Sequence, residues 1–373
     1  MNKFKNKHVI IGHGKHVFTN LYIDVLVNKA NVDQDKLVFL TIDSDAETDL
    51  PSNVRVSCVS YDRALLSQLS EAKSFTLISF TSTNSFVVKD IYDFEKDLIK
   101  KVRIYLTDDE LDRWKKIKQQ KGVIAESKKL HISSDVVELL PRIKTFITLD
   151  KAFRGALSDV LGRDDFNIIN VRDPFATMPV EHTDKLNDLF EMKLIHDKPE
   201  NRILLGSKRE RFTLKQLISL IKSFNKQGIL NDYKFLLFHH DKVKFTRILI
   251  DLYCLYLRYV KKSIVTISYP TVTNSLTYTC MIMSCSHFIL QPRGGISSAR
   301  QYMTNGRGIV CVSEGSPNDR ELSYGLGLDL IRFSSFDDLA KKIKNNNVDI
   351  EENKIKMREE LSSYFKLLKS SYC

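Results

Sequence analysis

Two clusters in this 373-residue chain combine residue types that can do chemistry. The first is SHFILQPRGGISSAR, residues 286–300, in which a buried-type strand runs through a glycine pair into a helix start. Gly294 and Gly295 let backbone approach a ligand closely, and Ser297 and Ser298 supply hydroxyls and capping geometry. The helix start aims unpaired N–H groups at the site, and Arg293 and Arg300 can clamp phosphate oxygens with two donors each. The second cluster is IIGHGKHVF, residues 10–18, which sets His13 and His16 at the carboxyl end of a first strand. Open α/β sheets bind ligands at that edge, and an imidazole there can act as a general base near neutral pH. The turn lacks the third glycine of a dinucleotide fingerprint, so a nicotinamide site is a poor match.

Further strand ends add candidates to the second half. LLGSKRER brings Gly206, Ser207 and Lys208; FHHD brings His239; ISYP brings Ser268 and Tyr269. These suit a diphosphate with its base and sugar. Glu314, Asn318 and Glu321 follow in VSEGSPNDRE, where a carboxylate can accept from ribose hydroxyls. In the first half, Thr107 caps a run of acids that suits a helix dipole, with Asp108 and Asp109 as second-line candidates for a base. Two adjacent histidines without a third ligand are a weak metal signal, and no bound metal or cofactor is expected.

Positioning these groups requires parallel sheets. Short runs rich in Val, Ile, Leu and Phe recur at 8–11, 37–42, 54–59, 75–80, 102–106 and 143–149, with helical periodicity between them. The texture changes between about 160 and 200, where three of the eight prolines fall, and this stretch reads as a linker. Alternation restarts at 202–207 and continues through 233–238, 264–268, 287–290, 309–312 and 330–333. The expectation is α/β, with Rossmann-like domains at 1–195 and 196–373 and a last amphipathic helix that packs back on the first.

Charge sharpens the picture. Residues 1–200 hold 30 basic and 31 acidic side chains, whereas residues 201–373 hold 27 and 15, a net +12. A polyanion is therefore expected at the second half. The six cysteines have no metal or pair spacing and read as free thiols of a reducing compartment. The opening MNKFKNKHVII is too short in apolar residues for an export signal, which points to the cytoplasm. The most apolar segment, 248–260, carries Asp251 and Arg258 and is too short to span a bilayer. Arg113, Lys115, Lys116 and Lys118 beside Trp114 form a stripe that suits either a solvated helix face, the favoured reading, or an anionic lipid surface.

The second half, from LLGS at 204–207 through ISYP and HFIL to the GSPN turn at 315–318, resembles the GT-B glycosyltransferases. It is similar to the family of TDP-4-acetamido-4,6-dideoxygalactose (Fuc4NAc) transferases of bacterial polysaccharide synthesis. GKHVF at 14–18 is similar to a turn of the lipid-linked N-acetylglucosaminyltransferase of peptidoglycan assembly, and that likeness points to His16 as a catalytic histidine. Lys15 and the lack of a following proline depart from that turn, so the acceptor pocket differs. The resemblance implies two domains facing across a cleft. It further implies a metal-independent transfer of sugar from a nucleotide-diphosphate donor to a saccharide or lipid-linked acceptor, with peripheral contact to the inner membrane. His16, His13 and Asp109 all stand as candidate bases. A sugar-nucleotide 2-epimerase shares this fold and is the rival enzyme. A non-enzymatic nucleic-acid-binding protein is the rival for the basic half, but basic and aromatic residues are not interleaved there on a recognisable motif, so no nucleic acid is expected.

Overall fold

The computed structural model describes residues 2–44, 47–172, 200–206, 212–237, 244–271 and 274–373. Seven strands form the first sheet: β1 His8–Gly12, β2 Leu37–Thr41, β3 Ser57–Ser60, β4 Ser74–Ile78, β5 Val102–Tyr105, β6 Thr145–Thr148 and β7 Asn167–Asn170. Their order is β3-β2-β1-β4-β5-β6-β7, every pair parallel, with His8 opposite Leu37 on one side and Ser74 on the other. Every residue of β1, β2 and β4 is buried, as expected of strands covered on both faces. Sealing Val9, Ile10 and Ile11 alone contributes about 1.5–3 kcal/mol per side chain. The covering helices include α1 Val17–Asp24, α2 Ser85–Phe94, α3 Asp108–Lys121 and α4 Asp150–Leu161.

The second sheet has six strands: β8 Glu200–Leu205, β9 Lys234–Leu236, β10 Thr266–Ser268, β11 Cys285–Ile289, β12 Ile309–Ser313 and β13 Ile331–Phe333. Their order is β10-β9-β8-β11-β12-β13, again all parallel. Its helices include α5 Leu214–Lys226, α6 Lys244–Val260, α7 Ser275–Met283, α8 Ile296–Thr304 and α9 Phe336–Lys344, and the last helix, α10 Ile350–Ser371, begins in this unit and passes into the first at Leu361. Ile203, Phe235, Ile289, Cys311 and Ile331, one from each of five neighbouring strands, share a core with Leu217, Leu220 and Phe224 of α5.

The chain divides into two compact units, Met1–Phe175 with Leu361–Cys373, and Ala176–Glu360. The C-terminus is pinned within the first. Tyr372 is fully buried, its hydroxyl 2.8 Å from Thr76 Oγ1 and 3.1 Å from that of Tyr22. Arg103 lies over the Tyr372 ring and donates to the Ser371 carbonyl, while Lys73 donates to that of Cys373.

Two sequence expectations change. Strand β7 lies inside the stretch read as linker; only Ile168 and Ile169 are apolar and it is a half-exposed edge, so its signal is weak. Trp114 is buried rather than displayed beside lysines, and Lys118 donates to carbonyls of Asp159 and Val160 on α4. One cation of that stripe is thus tied to the neighbouring helix, while Lys116 stays exposed.

Glu110, in the first turn of α3, is 1% exposed and accepts from the Phe80 and Thr107 N–H groups, joining the loops after β4 and β5. Burial pushes its carboxyl from 4.5 up to about 7, outweighing those hydrogen bonds. The folded state therefore holds a proton that the unfolded state has lost between these values, so stability falls as pH rises from about 4.5 to about 7. Glu110→Gln keeps one acceptor oxygen, loses the second N–H contact and removes the titration. Urea titrations at several pH values should show the wild type losing on the order of 3 kcal/mol relative to the variant across that window.

Candidate functional site

In both sheets the strand order reverses beside the first strand, between β1 and β4 and between β8 and β11. The loops leaving these strands open a crevice at the carboxyl edge, where open α/β sheets bind ligands.

In the second unit three loops converge there. The Gly206 N–H, at the end of β8, donates to the Ile289 carbonyl, and this glycine sits against the Gln291 side chain. After β11, Gly294 and Gly295 both adopt the left-handed conformation, with φ of 82° and 80°, which a side chain at either position would strain. Gly295 is the N-cap of α8 and supplies no capping side chain. A glycine turn that runs into the first turn of a helix is the arrangement that binds phosphate. Ser297 and Ser298 stand in that turn, Ser298 Oγ 3.3 Å from the Tyr278 hydroxyl of α7. Arg293, half-buried, immediately precedes the turn.

Asn318, after β12, holds this loop in place. It is 1% exposed, and its Nδ2 donates to the carbonyls of Gln291 at 2.7 Å and Gly294 at 2.9 Å. It is a positioning group for the glycine turn rather than an open ligand contact. Its own turn is fixed by Asp319, which accepts a two-pronged Arg332 at 2.7 and 2.9 Å and the Gly315 N–H at 2.8 Å. Burial pushes the Asp319 carboxyl up, but the Arg332 hydrogen bonds and then the Gly315 N–H outweigh it and leave it below the usual range.

The structure redistributes other candidates. Arg300, expected to clamp phosphate, has no solvent exposure and lies 3.9 Å from buried Glu321, the carboxylate expected at the ribose. They meet each other inside the unit. Arg300 shares the helix face of Ile296, Ala299 and Met303, the i, i+3, i+4, i+7 stripe that packs inward. Glu314 is exposed and 3.5 Å from Lys342. Ser268 ends β10 at the sheet's far edge and Tyr269 follows it; the Tyr269 hydroxyl donates to Asp251 and Arg247 covers its ring, both on α6. Ser207, Lys208 and His239 lie outside the described residues.

In the first unit the loop after β1 separates the two histidines by environment. His13 Nδ1 is 2.7 Å from Asp43 Oδ1, and the other Asp43 oxygen accepts the Gly14 N–H at 2.7 Å. The hydrogen bond from His13, followed by that from Gly14, holds the Asp43 carboxyl below the usual range. Asp43 opens an Asp-Ser-Asp run, so the Asp-x-Asp spacing is present in this chain, and the loop of the first strand occupies its carboxylate. Gly14 is required by close approach, since a Cβ there would fall 2.0 Å from the Glu47 carbonyl oxygen. His16 is instead the N-cap of α1, its Nδ1 2.9 Å from Thr19 Oγ1. Partial burial, and next the neighbouring His13, lower its pKa. Asp109 is exposed on the first turn of α3, and its carbonyl accepts from Arg113.

Sequence reasoning missed Asp43, Asp319 and Arg332. An acid just past β2 is a signal that the strand pattern could have supplied; Arg332 pairs with Asp319 across 13 residues and two elements, with no local spacing to betray it.

No protein-family model and no curated protein matches the chain. Solved structures do. HepE of Anabaena in complex with UDP is similar at 12% identity and a TM-score of 0.54, over 98% of this chain and 94% of that one. Apo UGT2 of Phytolacca americana is similar at 14% identity and a TM-score of 0.53, over 98% of each chain. The α,α-trehalose 6-phosphate synthase of Burkholderia multivorans gives 10% and 0.56, over 99% and 97%. At these identities the likeness establishes the fold, two parallel-sheet α/β domains of the GT-B glycosyltransferase architecture.

Proposed function

We propose that this chain is a glycosyltransferase that moves a sugar from a nucleotide-diphosphate donor to a saccharide or lipid-linked acceptor. The observation that carries the reading is the double left-handed glycine turn at the second sheet's reversal point, which runs into the α8 helix start and is tied down by Asn318. A diphosphate suits it because backbone N–H groups and the helix dipole meet negative charge without reorganising. The solved neighbour that holds UDP supports the same ligand class.

In this reading the acceptor hydroxyl oxygen attacks the anomeric carbon as the carbon–oxygen bond to the diphosphate breaks. The bonding pair leaves with the diphosphate, whose charge Arg293 and the α8 N–H groups stabilise in place of a divalent ion. His13 takes the hydroxyl proton. Its Nδ1–H is committed to Asp43, which leaves the Nε2 lone pair as the acceptor and steadies the imidazolium that forms. His16 has a threonine hydroxyl in that place and no carboxylate, so it is the lesser base. Bacterial surface-polysaccharide assembly is the setting suggested by the sequence resemblance.

Melting curves with UDP, TDP, GDP and CMP compounds should show stabilisation by one nucleoside diphosphate, about 2.7 kcal/mol at a hundredfold excess over Kd. Arg293→Ala should weaken that ligand about 10- to 100-fold, the worth of a charge-assisted pair. An unchanged affinity removes the cradle. With donor and acceptor, His13→Ala should lower kcat by about 10²- to 10⁴-fold and Asp43→Asn by about tenfold or more, with KM little changed. His16→Ala abolishing turnover while His13→Ala spares it would reassign the base. An isomer of the donor formed without acceptor would indicate epimerisation instead.

A further inference from the structure

We propose that the outer face of α6 docks the protein on an anionic lipid surface. A helix that packs on a sheet normally turns charged residues to water. Here Ile250 and Leu257 face the core, yet Ile248, Leu252, Leu255, Tyr256, Tyr259 and Val260 are 45–76% exposed. Spacings of 4, 7, 8 and 11 residues from Ile248 to Tyr259 place five of these on a single stripe. Ile264, just beyond the helix, is 60% exposed and lengthens the apolar area. A patch of this size on a soluble chain marks an interaction surface. The 17-residue helix is about 25 Å long, and no described helix is long and apolar enough to cross a membrane, so the geometry is that of a helix lying in the interface plane.

Charge decides the occupant. Asp251 is the one acid in the Lys244–Val260 sequence, and it is engaged by the Tyr269 hydroxyl and by Arg247 at 3.6 Å. Arg258, Lys261 and Lys262, all exposed, cluster at the C-terminal end of the stripe, in the half of the chain that carries net +12. A second copy offers these cations no acid from this helix beyond the engaged Asp251, whereas anionic headgroups neutralise them. The two exposed tyrosines fit the boundary, with an apolar ring toward the acyl region and a hydroxyl toward water. This inference goes beyond sugar transfer and does not depend on it.

The test is sedimentation of the full-length protein, without nucleotide, with phosphatidylcholine vesicles that contain or lack phosphatidylglycerol. The wild type should pellet with the anionic vesicles at low salt and stay in solution with the neutral ones. Ile248→Ser/Leu252→Ser/Tyr259→Ser should reduce partitioning by at least about tenfold. Lys261→Glu/Lys262→Glu, which leaves the apolar residues intact, should reduce it by about fivefold or more per cation. Unaltered melting curves show that both variants are folded. Equal sedimentation with both vesicle types, or triple-variant binding equal to wild type, overturns the proposal. So does a wild-type dimer that the triple variant converts to monomer, because the stripe would then belong to a second copy.

Discussion

Parallel strands can be joined only by crossovers, and that constraint organises the molecule. Each strand ends at the same edge of its sheet, and every loop that leaves this edge can carry a polar side chain without disturbing the core. In both sheets the strand order reverses beside the first strand, the position at which open α/β sheets bind ligands. The glycine turn and the His13–Asp43 pair occupy those two positions, one per sheet. The chemistry proposed for this protein follows from where a doubly wound sheet leaves room.

The second-sheet site is built in layers of support. Arg332 on β13 fixes Asp319, Asp319 and Ser316 shape the turn after β12, and that turn presents Asn318 to the carbonyls of Gln291 and Gly294. The consequence is a loop whose carbonyls at Gln291, Pro292 and Gly294 are already taken up, so that its backbone is fixed. Such preorganisation is what makes backbone dipoles effective toward a leaving diphosphate, since no reorientation accompanies charge development. Arg300 and Glu321 add an internal charge pair to this layer and leave Arg293 as the arginine of the stretch at the loop itself.

Much of the architecture was legible in the sequence for a physical reason. Strands buried on both faces need unbroken apolar runs, and those runs announced twelve of the thirteen strands; β7, with two apolar residues at an exposed edge, did not. The glycine turn was legible because a left-handed pair restricts residue choice. What could not be read were partnerships across the fold. His13 and Asp43 are 30 residues apart and meet only because β1 and β2 are neighbours in register. Arg300 is the instructive miss, since its phase with Ile296, Ala299 and Met303 already placed it on the inward face. Its residue type suggested phosphate; its helical position decided otherwise.

The central claim is that a nucleoside diphosphate seats on the glycine turn and the first turn of α8. Peptide-level amide hydrogen exchange with and without UDP addresses it directly. The account predicts marked slowing across residues 293–299 on ligand addition, with the stretch around Asn318 slowed in concert. UDP binding that leaves residues 293–299 unprotected, or that protects a different edge of the sheet, would contradict it.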